Sequence, residues 1–110
     1  MKELSGEHIL LRIFIGESDK QDGKPAYQAL VEMLRHEKIR GATVLRGIVG
    51  YGAHSHPHTM NILRLSQDLP IIIEVVDSQE NIDRVMPQIE RIASSGLITM
   101  EKVRVLRYGQ

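Results

Sequence analysis

Leu69-Pro70-Ile71-Ile72-Ile73-Glu74-Val75-Val76 is the stretch that decides the fold. Its β-branched residues favour a strand, and Pro70, with no N–H to give to a ladder, is tolerable only at the start. Side chains along a strand alternate between two faces. Ile71, Ile73 and Val75 therefore oppose Ile72, Glu74 and Val76, and both sets are mainly apolar. His8 to Ile15 has the same character: Ile9, Leu11, Ile13 and Ile15 lie on one face, Leu10, Arg12 and Phe14 on the other. Arg12 and Glu74 fall at matching mid-strand positions, and a charge in an apolar setting needs a partner. The pattern predicts that they pair.

Working outward from this strand, Ser78 is a natural N-cap, and Ile82, Val85, Met86, Ile89 and Ala93 behind it form one helical stripe. Pro87 interrupts that stripe. An interior proline removes a hydrogen bond and costs about 3 kcal/mol, so a kink or break is expected near Asp83. Gly96 ends the helix, and Ile98 to Leu106 supplies a last strand. On the N-terminal side, Gly16 to Lys24 reads as a polar loop with a turn at Asp22-Gly23. Pro25 suits the first position of a helix that carries Tyr27, Leu30, Val31 and Leu34 at helical spacing, with Gly41 as its stop. Thr43 to Val49 reads as a strand, Ala53 to Asn61 as a loop, and Ile62 to Leu65 as a return to extended chain.

The order is β-α-β-β-α-β in a single domain over 1–110. That is the ferredoxin-like α+β arrangement, a four-stranded antiparallel sheet with both helices on one face. Two helices shield only one side of a sheet that is apolar on both. At about 25 cal/mol per Å² of apolar surface, a bare second face forgoes many kcal/mol and invites association. An oligomer that buries the second faces together is expected.

Composition narrows the function. Apolar residues make up 42% and charged residues 25%, ordinary for a soluble globular protein. Lys plus Arg equals Asp plus Glu at 14 each, so no net field draws the chain to nucleic acid or anionic lipid. The absence of cysteine excludes a disulfide scaffold, a thiol nucleophile and a cysteine-based zinc site. The polar, acidic start from Met1 to His8 does not read as a signal peptide, and no apolar run approaches a membrane span. A cytoplasmic location is the expectation, without membrane insertion.

Three groups of residues bear on chemistry. Gly47, Gly50 and Gly52 can bring backbone N–H groups close to phosphate oxygens, or can simply form a β-bulge and turn. Arg46, Arg64 and Lys102 offer positive charge, which makes a phosphate site only if they converge across a subunit boundary. His54, His56 and His58 recur at a spacing of two, which in extended chain aims three imidazoles at one side. That set suits zinc, copper or nickel, or it belongs to a polar loop without metal. Ser18-Asp19 and Ser66-Asp68 are loop and capping residues, and Asp77 and Glu80 flank a helix start that favours carboxylates. No nucleophile motif, complete phosphate loop or dinucleotide fingerprint is present. The chain does not read as an enzyme.

The segments Ile15-Gly16-Glu17-Ser18-Asp19 with Gly23-Lys24-Pro25, Gly41-Ala42-Thr43-Val44-Leu45-Arg46-Gly47-Ile48-Val49-Gly50-Tyr51-Gly52-Ala53-His54, and Leu63-Arg64-Leu65-Ser66-Gln67-Asp68-Leu69-Pro70 resemble the PII-like family of small bacterial proteins. The resemblance covers Arg12 to Arg107. It implies a homotrimer with sheets facing the threefold axis and an adenine nucleotide (ADP, AMP or ATP) in clefts between subunits. It also implies signalling to a target protein, such as a membrane transporter, through a mobile loop at about 51–61. Gly47-Ile48-Val49-Gly50 resembles the base of that loop. Ser95-Gly96-Leu97-Ile98-Thr99, followed by Lys102, resembles a loop that wraps phosphates. Nucleotide-binding residues implied on this basis are Arg46, Gly47, Ile48 and Gly50, then Arg64 and Glu74, then Gly96, Leu97, Ile98, Thr99 and Lys102. The chain departs from the PII pattern in a shorter, histidine-rich loop and in Thr99-Met100-Glu101, which stands where further glycines are usual.

Overall fold

The computed structural model describes residues 6–51 and 68–109. The elements run β1 (Gly6–Gly16), β2 (Lys20–Gln21), β3 (Lys24–Pro25), α1 (Ala26–His36), β4 (Thr43–Arg46), β5 (Pro70–Asp77), α2 (Gln79–Ile92) and β6 (Leu97–Val105). Four strands form one antiparallel sheet in the order β4-β5-β1-β6. With two helices packed on one side, this is the ferredoxin-like α+β arrangement.

The register sets the two faces. Leu11, Ile13 and Ile15 stand opposite Val75, Ile73 and Ile71, and all are buried. Leu30 and Leu34 of α1 and Ile82, Val85 and Ile89 of α2 close over them in a single core. On the outer face Arg12 stands opposite Glu74, and Phe14 opposite Ile72. Arg12 Nε donates to Glu74 Oε2 at 2.9 Å, the predicted pair, and Arg12 Nη1 reaches Glu101 Oε1 at 3.0 Å. Beside them Leu45, Ile72, Phe14 and Leu97 align as an apolar row across all four strands, with Leu45 44% and Leu97 59% exposed.

Several boundaries differ from expectation, each for a local reason. α1 ends at His36, well before Gly41. Lys38 takes the left-handed conformation, φ 65°, that a glycine usually supplies. Its N–H bonds Arg35 O at 3.1 Å and the Ile39 N–H bonds Leu34 O at 3.0 Å. Ile39 and Leu34 meet in the core, so burial holds the turn in place of a glycine. Pro25 is the residue before α1 and closes a miniature hairpin, β2 paired with β3. Asp22 and Gly23 join these strands with φ of 51° and 84°, the twist that a two-residue hairpin turn requires.

Helix α2 runs through Pro87 without the expected break. Pro87 and Asp83 both lie on the exposed side, where water can take the carbonyl that the ring leaves unbonded. The N-cap is as predicted, Ser78 Oγ accepting from the Asn81 N–H at 3.1 Å. β4 stops at Arg46 instead of Val49 because its next partner is Pro70. Gly47 still donates to Pro70 O at 2.7 Å, but Pro70 has no N–H to return. The extended segment expected at Ile62 to Leu65 lies outside the described residues.

Candidate functional site

The glycine-rich end of β4 is pressed onto the Pro70 ring. A Cβ on Gly47 would come within 2.6 Å of Pro70 Cγ, and one on Gly50 within 3.0 Å. At Gly47 a side chain would push the ring or the strand away, whereas at Gly50 a small shift would suffice; Ile48, Val49 and Tyr51 extend from this backbone into solvent. Arg46 stands in register with Ile71, on the helix side of the sheet, and its Nη2 donates to Glu17 Oε2.

Glu17 belongs to the turn after β1, and that turn is tied to both chain stems flanking residues 52–67. The Glu17 N–H donates to Leu69 O at 2.8 Å. The Ser18 N–H and Oγ both donate to Asp68 Oδ1, at 2.9 and 2.7 Å. A Cβ on Gly16 would meet Asp68 Oδ1 at 2.6 Å, so a side chain there would displace the Asp68 carboxylate from its present position.

The second glycine site opens β6. The Gly96 N–H closes the end of α2 on Ala93 O at 3.0 Å. Its Cα faces the backbone of β1, where a Cβ would meet Phe14 O at 2.6 Å. Leu97 and Thr99 then stand opposite Phe14 and Arg12, on the outer face, while Ile98 stands opposite Ile13 and packs on the core. Lys102 is opposite Ile9 on the helix side and exposed. Five residues beyond Leu97, it is about 17 Å along the strand. Glu74 lies mid-sheet on the outer face, hydrogen-bonded to Arg12. That bond is the largest influence raising the Arg12 pKa; burial opposes it, and Glu101 adds to it.

Within one chain the two glycine segments do not meet. β4 and β6 are opposite edges of the sheet, with β5 and β1 between them. Three strand spacings separate them, about 14 Å. They do share one end of the sheet: Gly47 is beside Pro70, Pro70 beside Gly16, and Leu97 beside Phe14. Arg64 and the histidines His54, His56 and His58 lie outside the described residues.

Glu17, Pro70 and the Ser18–Asp68 contact carry no site signal in the sequence. Arg46 and Glu17 are 29 residues apart, and Ser18 and Asp68 are 50 apart, so no local period marks them. Asp77, in contrast, is purely architectural. It is fully buried and accepts from the N–H groups of Arg40 and Ser78 and from Asn81 Nδ2, at 3.1, 2.7 and 2.8 Å.

Comparison with known proteins bears on the family and the fold. A family model, DUF190 ("Uncharacterized ACR"), matches residues 8–105. A UPF0166 protein of Methanocaldococcus jannaschii is 42% identical over 99 residues, 89% of this chain and 91% of the relative. Another UPF0166 protein, of Aquifex aeolicus, is 38% identical over 97 residues, 88% of this chain and 91% of the relative. Among solved structures, CPII of Thiomonas intermedia K12, a nitrogen regulatory PII-like protein bound to ADP, AMP and bicarbonate, superposes with a TM-score of 0.65 at 14% identity, over 96% of this chain and 99% of that one. A candidate PII-like signaling protein of Thermus thermophilus gives 0.62 at 18% identity, over 92% and 90%. The fold is therefore PII-like, and on the extent of the family match and of the curated relatives the chain belongs to the DUF190 family.

Proposed function

We propose that this chain is a PII-like regulatory protein and not an enzyme. Three copies assemble with their outer sheet faces together, and each cleft between subunits takes an adenine nucleotide. Arg46 to Gly50 of one subunit and Gly96 to Thr99 of the next line the cleft. Occupancy changes the segment at 51–61, which passes the signal to a target protein, such as a membrane transporter. Order–disorder of a segment is a common switching device of this kind. The protein works in the cytoplasm as one domain.

What supports this reading most is the placement of the glycine segments at the same end but opposite edges of one sheet. Each is half of a site. The Gly47 N–H is taken by Pro70 O, so the backbone N–H that suits a phosphate oxygen is that of Gly50, and Arg46 adds the charge that a phosphate attracts. CPII, a protein of similar fold, is bound to ADP and AMP in its solved structure. Among the described residues, no helix is long and apolar enough to cross a membrane.

Isothermal titration with AMP, ADP, ATP and cyclic nucleotides tests the proposal. Heat is expected with at least one, at a stoichiometry of one per chain. Silence with all of them overturns it.

A further inference from the structure

Arg46 is already engaged within its own chain. Its guanidinium donates to the Glu17 carboxylate, which is well placed to keep it. Glu17 is the less exposed partner, at 23% against 61% for Arg46. Its own N–H is bonded to Leu69 O, and the next residue is doubly bonded to Asp68. The carboxylate is thus presented by a turn that is fixed at its backbone, while the arginine side chain stands at the sheet edge with room to swing.

Glu17 offers Arg46 the same kind of acceptor that a phosphate offers, planar or tetrahedral oxygens carrying negative charge. An anionic ligand reaching the Gly47–Gly50 backbone must share the guanidinium with Glu17 or take it away. On this ground we propose that Glu17 is an internal counter-anion of the site, which competes with the ligand's phosphate for Arg46 and so sets the affinity threshold. Resting on the nucleotide reading, this inference adds the residue that opposes binding. It also gives occupancy a structural consequence in the described residues. When Arg46 leaves Glu17, the turn loses its tie to the β4 stem but keeps its ties to Asp68 and Leu69, while the two stems stay joined directly through Gly47 and Pro70.

The experiment compares AMP with adenosine, which lacks the phosphate, on the full chain and on Glu17→Gln. An exposed ion pair is worth up to about 1 kcal/mol, or about fivefold in affinity. AMP is expected to bind up to about fivefold tighter to the variant, with adenosine unchanged. Equal AMP affinity in both proteins overturns the inference, and so does an equal change for both ligands, which would mark a change of cleft shape. If AMP binds and the ratio does not move, this inference alone fails; if no nucleotide binds either protein, the parent reading falls with it. Should Glu17→Gln not fold, Glu17→Asp keeps the charge but draws it back by one methylene. A smaller gain for AMP over adenosine is expected there, and its absence is equally adverse.

Discussion

At Gly96 the backbone of one strand lies so close to another that a methyl group has no room. Its Cβ would sit 2.6 Å from Phe14 O and 2.8 Å from Ile15 Cγ2, against a backbone atom that cannot rotate aside. Overpacking of this kind costs about 1–3 kcal/mol. Gly96→Ala is expected to lose that much in urea unfolding followed by circular dichroism; wild-type stability would mean that β1 yields freely. The glycines are visible in the sequence, but their reasons are not. Gly96 is readable as a helix end, and the structure adds that it is also the contact point with β1. Gly41 reads as a stop because glycine tolerates positive φ, yet the stop falls on Lys38, where core burial of the following Ile39 offsets the strain. A residue's intrinsic permissiveness is a local signal, whereas the burial that overrides it is decided by the whole core.

Secondary-structure elements follow hydrophobic period closely wherever burial is one-sided. β5 alternates buried and half-buried positions along its length, and α2 buries Ile82, Val85 and Ile89, part of the stripe that spacing predicts. Pro87 shows the limit of the rule. Sequence alone assigns its cost to a break in the helix, but packing on both sides of Pro87, at Val85 and Ile89, holds the turn together. What remains is one missing backbone hydrogen bond on an exposed surface. Pro87→Ala restores the donor to Asp83 O and is expected to raise the unfolding free energy by about 1–3 kcal/mol. Thermal unfolding measures it, and a loss of stability would show that the ring makes a contact worth more than the bond. The early end of β4 is equally hidden in sequence, because the proline responsible is on the neighbouring strand, 23 residues after Gly47 in the chain (70 − 47).

For the whole molecule, the decisive feature is the outer sheet face. Its two-sided apolar character is legible from alternation in two strands, and the Arg12–Glu74 pair comes with it. Glu101, the second partner of Arg12, is not, because the register of β6 against β1 cannot be read from either strand alone. The candidate site is legible only as two separate glycine segments; that they share an end of the sheet is a property of strand order. In the proposed assembly, the row Leu45–Ile72–Phe14–Leu97 is the surface that subunits bury. Light scattering after size exclusion should give a trimer for the wild type and a monomer for Leu45→Glu at micromolar concentration. A wild-type monomer would remove the clefts, and an unaltered trimer in the variant would place the contact elsewhere.

Strand order carries one more consequence. In the proposed assembly, the two glycine segments lie on opposite edges of each sheet, so each bound molecule would be held jointly by two chains. Binding and association then draw on the same free energy, and each must strengthen the other. Diluting the protein should weaken its hold on the small molecule, and saturating it should keep the ring closed at concentrations where it would otherwise fall apart.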